Sequence, residues 1–464
     1  MRPLYYISLM DVASRPVPLT GSSMFAKWSD QIQLELLWKN PGRAISAYER
    51  IPRAWIDGYR LLNLKNSLKL ARDKAPFYTQ KFLEHYVDLD RIHSPTDLGP
   101  IFTTPSDLQT LPPEDFLCGT PDTAFETTGT ISKRPKRVFF SNREIEDVGR
   151  VNAAGLWRMG IRPEDRIASS FDYSFWVSGP TLKAAVSQMK CFHVEAGRID
   201  PEEFYDRVKP YGCNVIVADP GWLVRLSEIA DKRGGPWPVK CLIAGGENLS
   251  ESSRRFVESI WKAKLLLSYG QTEAFGSIGI ECDRQDGYHL NDMDLWAEVV
   301  DPDAQGFGEL VYTTLRRNVM PFARYRSGDV TRIITEPCPC GTPSVRLAKL
   351  KGRIDDMVVT GVGNIAAWMI EPAADAVEPR LGEWQLAVST GPGKDRLEFR
   401  VETDAPAAEI QKRLMDAMKQ GPMQVAAAGI GQGLVEFDVM TFASGALKGQ
   451  SRKLKRILDT RRFD

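Results

Sequence analysis

The chain has 464 residues, and its 60 Lys+Arg are balanced by 60 Asp+Glu. A formal charge of zero gives no electrostatic footprint for non-specific nucleic-acid binding, and no stretch approaches the ~18 apolar residues of a membrane span. Hydrophobic residues at 43% and charged residues at 26% describe an ordinary globular protein, long enough for several structural units at about 100–200 residues each. The apolar run that opens the chain is short and is interrupted by Asp11, which argues against a secretory signal. Seven cysteines spread over this length do not form a disulfide framework, so a reduced, cytoplasmic protein is expected.

Residues 1–45 carry no clear period. From Ala54 to about Tyr86, Leu61, Leu62, Leu68, Leu70, Ala71 and Phe77 recur at three- and four-residue steps, which predicts helix. Pro105, Pro112 and Pro113 predict loop. From about 145 to 275, short apolar runs alternate with helical stretches. Strands are expected at 166–170, 191–194, 214–218, 240–244 and 265–267, and helices at 201–209, 222–230 and 250–261. That alternation predicts βα units and a mostly parallel sheet, whose ligands bind beyond the carboxyl ends of the strands. Residues 296–334 read as strands and turns, with a hairpin around 303–308. Past Lys351, a strand at 397–401, a helix at 407–420, a Gly/Ala-rich loop at 426–433 and a strand at 434–442 predict a small α+β unit.

The segment Phe125–Arg137 packs small hydroxyl residues, Gly129 and four basic residues into a short span. Backbone N–H groups, hydroxyls and cations together can cradle a polyphosphate, although a polar surface turn has the same composition. Four further segments stand out. Gly245-Gly246-Glu247 follows one strand and Ser268-Tyr269-Gly270-Gln271-Thr272-Glu273 another; Arg324–Asp329 and Lys351–Asp356 come later.

In order and spacing these five segments resemble the adenylate-forming superfamily, and within it the phenylacetate–CoA ligase family. The resemblance covers about nine-tenths of the chain, from Ile51 onward, and Ala75–Phe82 also looks like that family's N-terminal region. It implies an α/β protein with a large N-terminal domain of parallel βα sheets and a β-rich subdomain, residues 1–352. A small, mobile α+β lid would follow, residues 353–464, hinged near Asp355. Thr127, Thr128, Gly129, Thr130 and Lys136 would hold the terminal phosphates of ATP. Gly245, Gly246, Glu247, Tyr269 and Gly270 would line the adenine pocket. Thr272 would touch the α-phosphate, Glu273 would ligate Mg2+, Asp329 would accept the ribose hydroxyls and Arg353 would sit beside them. Matching Arg456–Asp459 to the family's last motif makes Lys453 the catalytic lysine, with Lys448 and Lys455 as rivals. The family usually has Gly where Ser132 and Arg452 stand.

Cys338-Pro339-Cys340-Gly341 is a knuckle-like turn, and Cys282 and His289 lie upstream. Three cysteines and one histidine make the closed N/S ligand set of structural zinc, which the family's cysteine and histidine residues in this region support. Phe171, Asp172, Tyr173, Phe175 and Trp176 follow a strand, and Phe275 and Gly276 follow Glu273. The resemblance places both stretches at the acyl pocket, where aromatic walls would suit a flat aromatic acid. Asp172 or Ser174 would then read a ring substituent. The expected reaction is activation of a carboxylic acid as its acyl-adenylate, then transfer to coenzyme A, with residues 360–364 lining the thiol's tunnel. Transfer to an acyl carrier protein or an amine is the alternative within this chemistry, and a non-catalytic nucleotide- or zinc-binding protein is the alternative outside it. The family often forms dimers, so a homodimer is also expected.

Overall fold

The computed structural model describes residues 40–127, 135–274, 276–448 and 454–461, with every side chain among them except that of Asp355. Helix α1 (Pro41–Tyr48) starts at Asn40, whose side chain accepts from the Arg43 N–H. The expected helix at 54–86 is two, α2 (Arg53–Lys74) and α3 (Pro76–Glu84). Pro76 cannot continue α2, and the residue before a proline is pushed into the extended conformation that Ala75 adopts. The loop expected around Pro105–Pro113 instead holds α4 (Pro105–Thr110) and a 3-10 turn, Pro113–Phe116. Both prolines sit in a first turn, where their missing N–H costs nothing, and Thr104 and Asp107 close a capping box on α4.

The central sheet has nine strands among the described residues. Five are parallel, in the spatial order 264–271, 241–245, 215–218, 166–169 and 192–195. Antiparallel strands 276–280, 288–290, 346–347 and 333–334 extend it on the other side. Helices α5 (Asn142–Arg158), α6 (Ser178–Met189), α7 (Pro201–Val208), α8 (Pro220–Lys232) and α9 (Glu251–Trp261) cover it. Alternation along the strands divides the core between two faces. Ile167, Val215, Val217, Ile243 and Leu266 pack under α5 and α6, while Ala168, Ile216, Leu242 and Leu265 join the larger cluster with α8 and α9. Strand order reverses beside strand 166–169, and the carboxyl ends there open onto the site described below.

A second, antiparallel sheet joins strands 295–300, 308–314, 325–331 and 352–353, and a separate hairpin pairs Thr123–Thr127 with Lys136–Phe140. Past Arg353 the chain builds its own core. Helices α10 (Ala367–Asp375), α11 (Ala407–Met418) and α12 (Gln424–Gly431) pack with strands 384–390, 395–402, 436–442 and 457–459 around Phe399, Leu414 and Ile457. Helix α12 stands where the sequence predicts a Gly/Ala-rich loop. Alanine has the highest helix propensity, and Gly429 lets the helix lie against Val362, whose Cγ1 would be 2.6 Å from an added Cβ. Polar contacts join this unit to the rest of the chain, among them Ser252 Oγ to Asp375 (2.6 Å), Arg380 to Glu228 (3.3 Å) and Lys448 to Glu247 (3.0 Å).

Helices α5 and α6 pack closely because Gly149 has no side chain: an added Cβ would lie 2.7 Å from the Cβ of Ala184 and 3.0–3.1 Å from its backbone. The neighbour here is backbone, which cannot yield as a side chain does. Gly149→Leu is therefore expected to lower stability by about 1–3 kcal/mol, read as a lower urea midpoint.

Candidate active site

Four of the five sequence segments that carry the resemblance meet at one cavity of about 450 Å3, beyond the carboxyl ends of the parallel strands, while no residue of Arg324–Asp329 lines it. Thr127 and Lys136 reach it from the hairpin, Gly245 and Gly246 from strand 241–245, and Gly270 to Glu273 from the end of strand 264–271. Arg353, Leu454 and Lys455 line it from the C-terminal side. The predicted strand at 265–267 runs on to Gln271, so Tyr269 and Gly270 are strand residues and Thr272–Glu273 form the turn into strand 276–280. Asp329 likewise lies within strand 325–331. Gly270 is required at its place, because an added Cβ would sit 2.1 Å from the Gly276 carbonyl oxygen across the ladder.

Glu273 is 3% exposed. Its Oε1 lies 2.5 Å from Lys136 Nζ and accepts from the Tyr325 hydroxyl at 2.7 Å. Burial pushes this carboxyl up, but Lys136 and then Tyr325 outweigh burial and hold it below the usual carboxylate range. Tyr325 is fixed by the residue before it. Arg324 adopts φ +46, and its side chain is held by Glu298 (3.2 Å) and the Gly99 carbonyl. Asp329 gathers a second cluster. Its Oδ2 accepts from the Tyr269 hydroxyl (2.5 Å) and Gln271 Nε2 (2.7 Å), and its Oδ1 from Arg353 Nη1 (3.0 Å). The Thr127 hydroxyl is buried at the cavity wall with no hydrogen-bond partner among the described residues. An orphan hydroxyl beside Lys136 is a donor set that fits a phosphate.

The remaining expectations divide. Thr128, Gly129, Thr130, Ser132, Phe275, Arg452 and Lys453 lie outside the described residues, as does the Asp355 side chain. Glu247 is near the cavity but is paired with Lys448. Phe171, Trp176 and Gly276 line the cavity, whereas Asp172, Tyr173 and Phe175 do not. Phe175 is 63% exposed, the Tyr173 hydroxyl bonds Ser169 (2.6 Å), and Asp172 caps its own turn by accepting from the Ser174 N–H and hydroxyl. Asx-turn chemistry after the strand turns these three away from the cavity.

Cys282, His289, Cys338 and Cys340 converge, with all four ligand atoms within 4.8 Å of one another. The Cys282 and Cys338 sulfurs are 3.8 Å apart, and Cys340 Sγ is 3.3 Å from His289 Nε2. Two sulfurs bound at about 2.3 Å to one tetrahedral zinc stand about 3.8 Å apart, so the spacing fits the metal. Ser344 Oγ lies 3.3 Å from His289 Nδ1, which leaves Nε2 toward the sulfurs.

No family model matches the chain. The phenylacetate–coenzyme A ligase of Thermus thermophilus is 26% identical over 373 residues, which cover 77% of this chain and 84% of that protein. The phenylacetate–coenzyme A ligase of Pseudomonas putida is 25% identical over 372 residues, 76% of this chain and 83% of that one. The chain is a relative of the phenylacetate–coenzyme A ligases. It has the fold of the adenylate-forming ligases. A solved 2-hydroxyisobutyryl-CoA ligase in the postadenylation state matches with a TM-score of 0.76 and 22% identity, over 89% of this chain and 91% of that one. The same ligase in its thioesterification state matches at 0.62 and 23% identity, over 89% of this chain and 91% of that one.

Sequence reasoning misses part of this ligase-like site. Gln271 bridges Asp329 and Tyr312, whose hydroxyl donates to its Oε1 at 3.0 Å. Arg317 is enclosed under the hairpin, donates to the Phe139 carbonyl (2.5 Å), and is lowered to about 10 by burial. In the sequence, Arg316-Arg317 reads as a solvated pair, and nothing local distinguishes it. Gln271 stands inside a recognised segment, but a neutral amide carries no charge signal.

Removing the ammonium next to Glu273 leaves only the Tyr325 hydroxyl to oppose burial. A depressed carboxyl adds stability above its unfolded value and loses it as pH falls through the folded one. Lys136→Met is therefore expected to cost about 3–5 kcal/mol near neutral pH, with the deficit shrinking as pH falls into the carboxylate range. Urea midpoints of both proteins across pH 4–8 check this.

Proposed function

We propose that the protein is an AMP-forming acid–thiol ligase that activates a carboxylic acid, aromatic by preference, and transfers it to coenzyme A. The carrying observation is one cavity lined by Thr127, Lys136, Thr272, Glu273 and Arg353 together with apolar and aromatic side chains such as Phe171, Trp176, Leu182 and Ile280. The relatives named phenylacetate–coenzyme A ligase support the same reading.

In this reading the acid's carboxylate oxygen attacks the α-phosphorus of ATP and the bond to pyrophosphate breaks. Thiolate then adds to the acyl carbon and AMP leaves. Thr127 and Lys136 hold the departing phosphates, with Thr128, Gly129 and Thr130 between them in sequence. Thr272 holds the α-phosphate. Gly245, Gly246, Glu247, Tyr269 and Gly270 flank the base, and Asp329 takes the ribose hydroxyls with Arg353 beside it. Glu273, buried and ionised, suits Mg2+, which would neutralise phosphate charge. Lys453 bridges carboxylate and α-phosphate as charge builds. Leu454 and Lys455, next to it in sequence, line the cavity, which supports that placement. The unit past Arg353 swings about Asp355 between the half-reactions; its separate core and polar contacts with the rest of the chain support the motion. Cytoplasmic residence follows from the reduced thiols such a site requires.

ATP–pyrophosphate exchange against a panel of aromatic and aliphatic acids, without acceptor, tests the reading. Exchange with an acid and AMP release on adding coenzyme A are expected, and Lys453→Ala should slow the first step by about 100-fold or more while sparing thioester formation from preformed adenylate. Absence of exchange with every acid, despite ATP binding, would overturn it.

We also propose that Cys282, His289, Cys338 and Cys340 hold a structural zinc. Four protein ligands close the shell and leave no position for substrate. Purified protein is expected to contain about one zinc per chain, and Cys340→Ser to lose it together with thermal stability. Elemental analysis and a melting curve check both.

A further inference from the structure

The cavity does not end at the phosphate-facing wall. Strand 276–280 floors it from Gly276, paired with Gln271, to Ile280, paired with His289. That is about 13 Å of strand. Helix α5 runs alongside: Val148 lies near Gly276, Gly155 sits over Ile280, and Arg158 is nearly a turn further on. From Val148 to Arg158 is about 15 Å of helix. Two independent rulers therefore put Arg158 at the far end of the chamber from Thr272 and Glu273.

Arg158 lines that end, and its Nε is buried without a hydrogen-bond partner among the described residues. Its ring contact among the described residues is loose, with the guanidinium 5.7 Å from the Tyr48 centroid. Two carboxylates lie in electrostatic reach, Glu49, which is exposed to solvent, and Asp292. Asp292 is 1% exposed; it takes the Tyr48 hydroxyl on one oxygen and Arg53 Nη1 on the other, both at 2.7 Å. Cys340 is within electrostatic reach, but its Sγ faces His289 Nε2 at 3.3 Å, and Arg346 is bonded to Asp286. A cation in the last turn of α5 complements the helix dipole, but an exposed one does that equally well. A guanidinium carries five N–H donors in a fork that matches a carboxylate.

We propose that Arg158 is the specificity residue of the acyl chamber, and that the preferred acid carries a second carboxylate at the end far from the one that is activated. The inference rests on the ligase reading above and names its substrate class: a dicarboxylic acid with an apolar or aromatic middle. Phe171, Trp176 and Ile280 line the stretch between.

The test is ATP–pyrophosphate exchange with matched pairs of acids, aliphatic and aryl, that differ only in ending with a carboxylate or a methyl. Wild-type protein is expected to favour the carboxylate-ended member of the best-fitting pair by about tenfold to a hundredfold in kcat/KM. Arg158→Met should reverse the preference. Arg158→Lys, which keeps the charge and loses the fork, should fall between them. Exchange with equal rates for both members, or faster with methyl ends, in wild-type protein overturns the proposal and leaves the ligase reading standing. No exchange with any acid overturns both. Loss of zinc in Arg158→Met, with equal loss of rate for both members, assigns Arg158 to the metal centre and overturns the proposal.

Discussion

The site depends on keeping one buried carboxylate ionised. Glu273 has almost no contact with water, so its charge must be stabilised by the protein. The two groups that do so come from different sheets: Lys136 from the 123–140 hairpin and Tyr325 from the antiparallel sheet. Glu273 itself follows the last parallel strand. Three sheets without a common ladder are therefore tied at one atom, Oε1. The interaction that holds the proposed magnesium ligand also ties the hairpin to the sheet.

Asp329 applies the same logic to the neighbouring part of the cavity. Its three donors come from strand 264–271 and from Arg353, the last residue before the C-terminal unit. Arg353 thus couples Asp329, the proposed ribose site, to the segment proposed to turn. The hydrophobic clusters stop on either side of this point, at Leu347 and Val358. The contacts named between the two units are hydrogen bonds and ion pairs, which can be exchanged for water at little net cost, whereas an apolar interface could not. The motion proposed for the C-terminal unit needs such an interface.

Much of this is legible in the sequence, because its signals are local. Alternating apolar runs mark the parallel strands, and four of the five short segments supply residues to one cavity. The misreadings have physical causes. Prolines at 105 and 113 read as loop although each sits in a first helical turn, where proline is tolerated. The Ala-rich stretch at 426 reads as loop although its small residues allow close packing of α12. Phe175, Tyr173 and Asp172 follow the right strand, but one Asx turn decides which side chains enter the chamber, and composition does not encode that. Arg158 is invisible for a different reason. Its significance lies in a buried donor that no described residue satisfies, and only the folded chain shows which arginines carry one.

The cysteine cluster and the acyl chamber are parts of one structure. His289 lines the cavity as well as facing the sulfurs, and the chain continues from it through Leu290, Asn291, Asp292 and Met293, all at the cavity wall. Strand 288–290 is short, pairs with the equally short strand 346–347, and sits near the sheet edge. Two- and three-residue ladders hold a wall weakly by themselves. Cross-linking His289 to Cys282, at the end of the next strand, and to Cys338 and Cys340 through a metal would hold it firmly. Asp292, and through it Tyr48 and Arg53, would then be fixed opposite Arg158. On this argument a metal held there would be structural in its ligands yet would shape selectivity, because the wall it would anchor bounds the proposed acyl chamber.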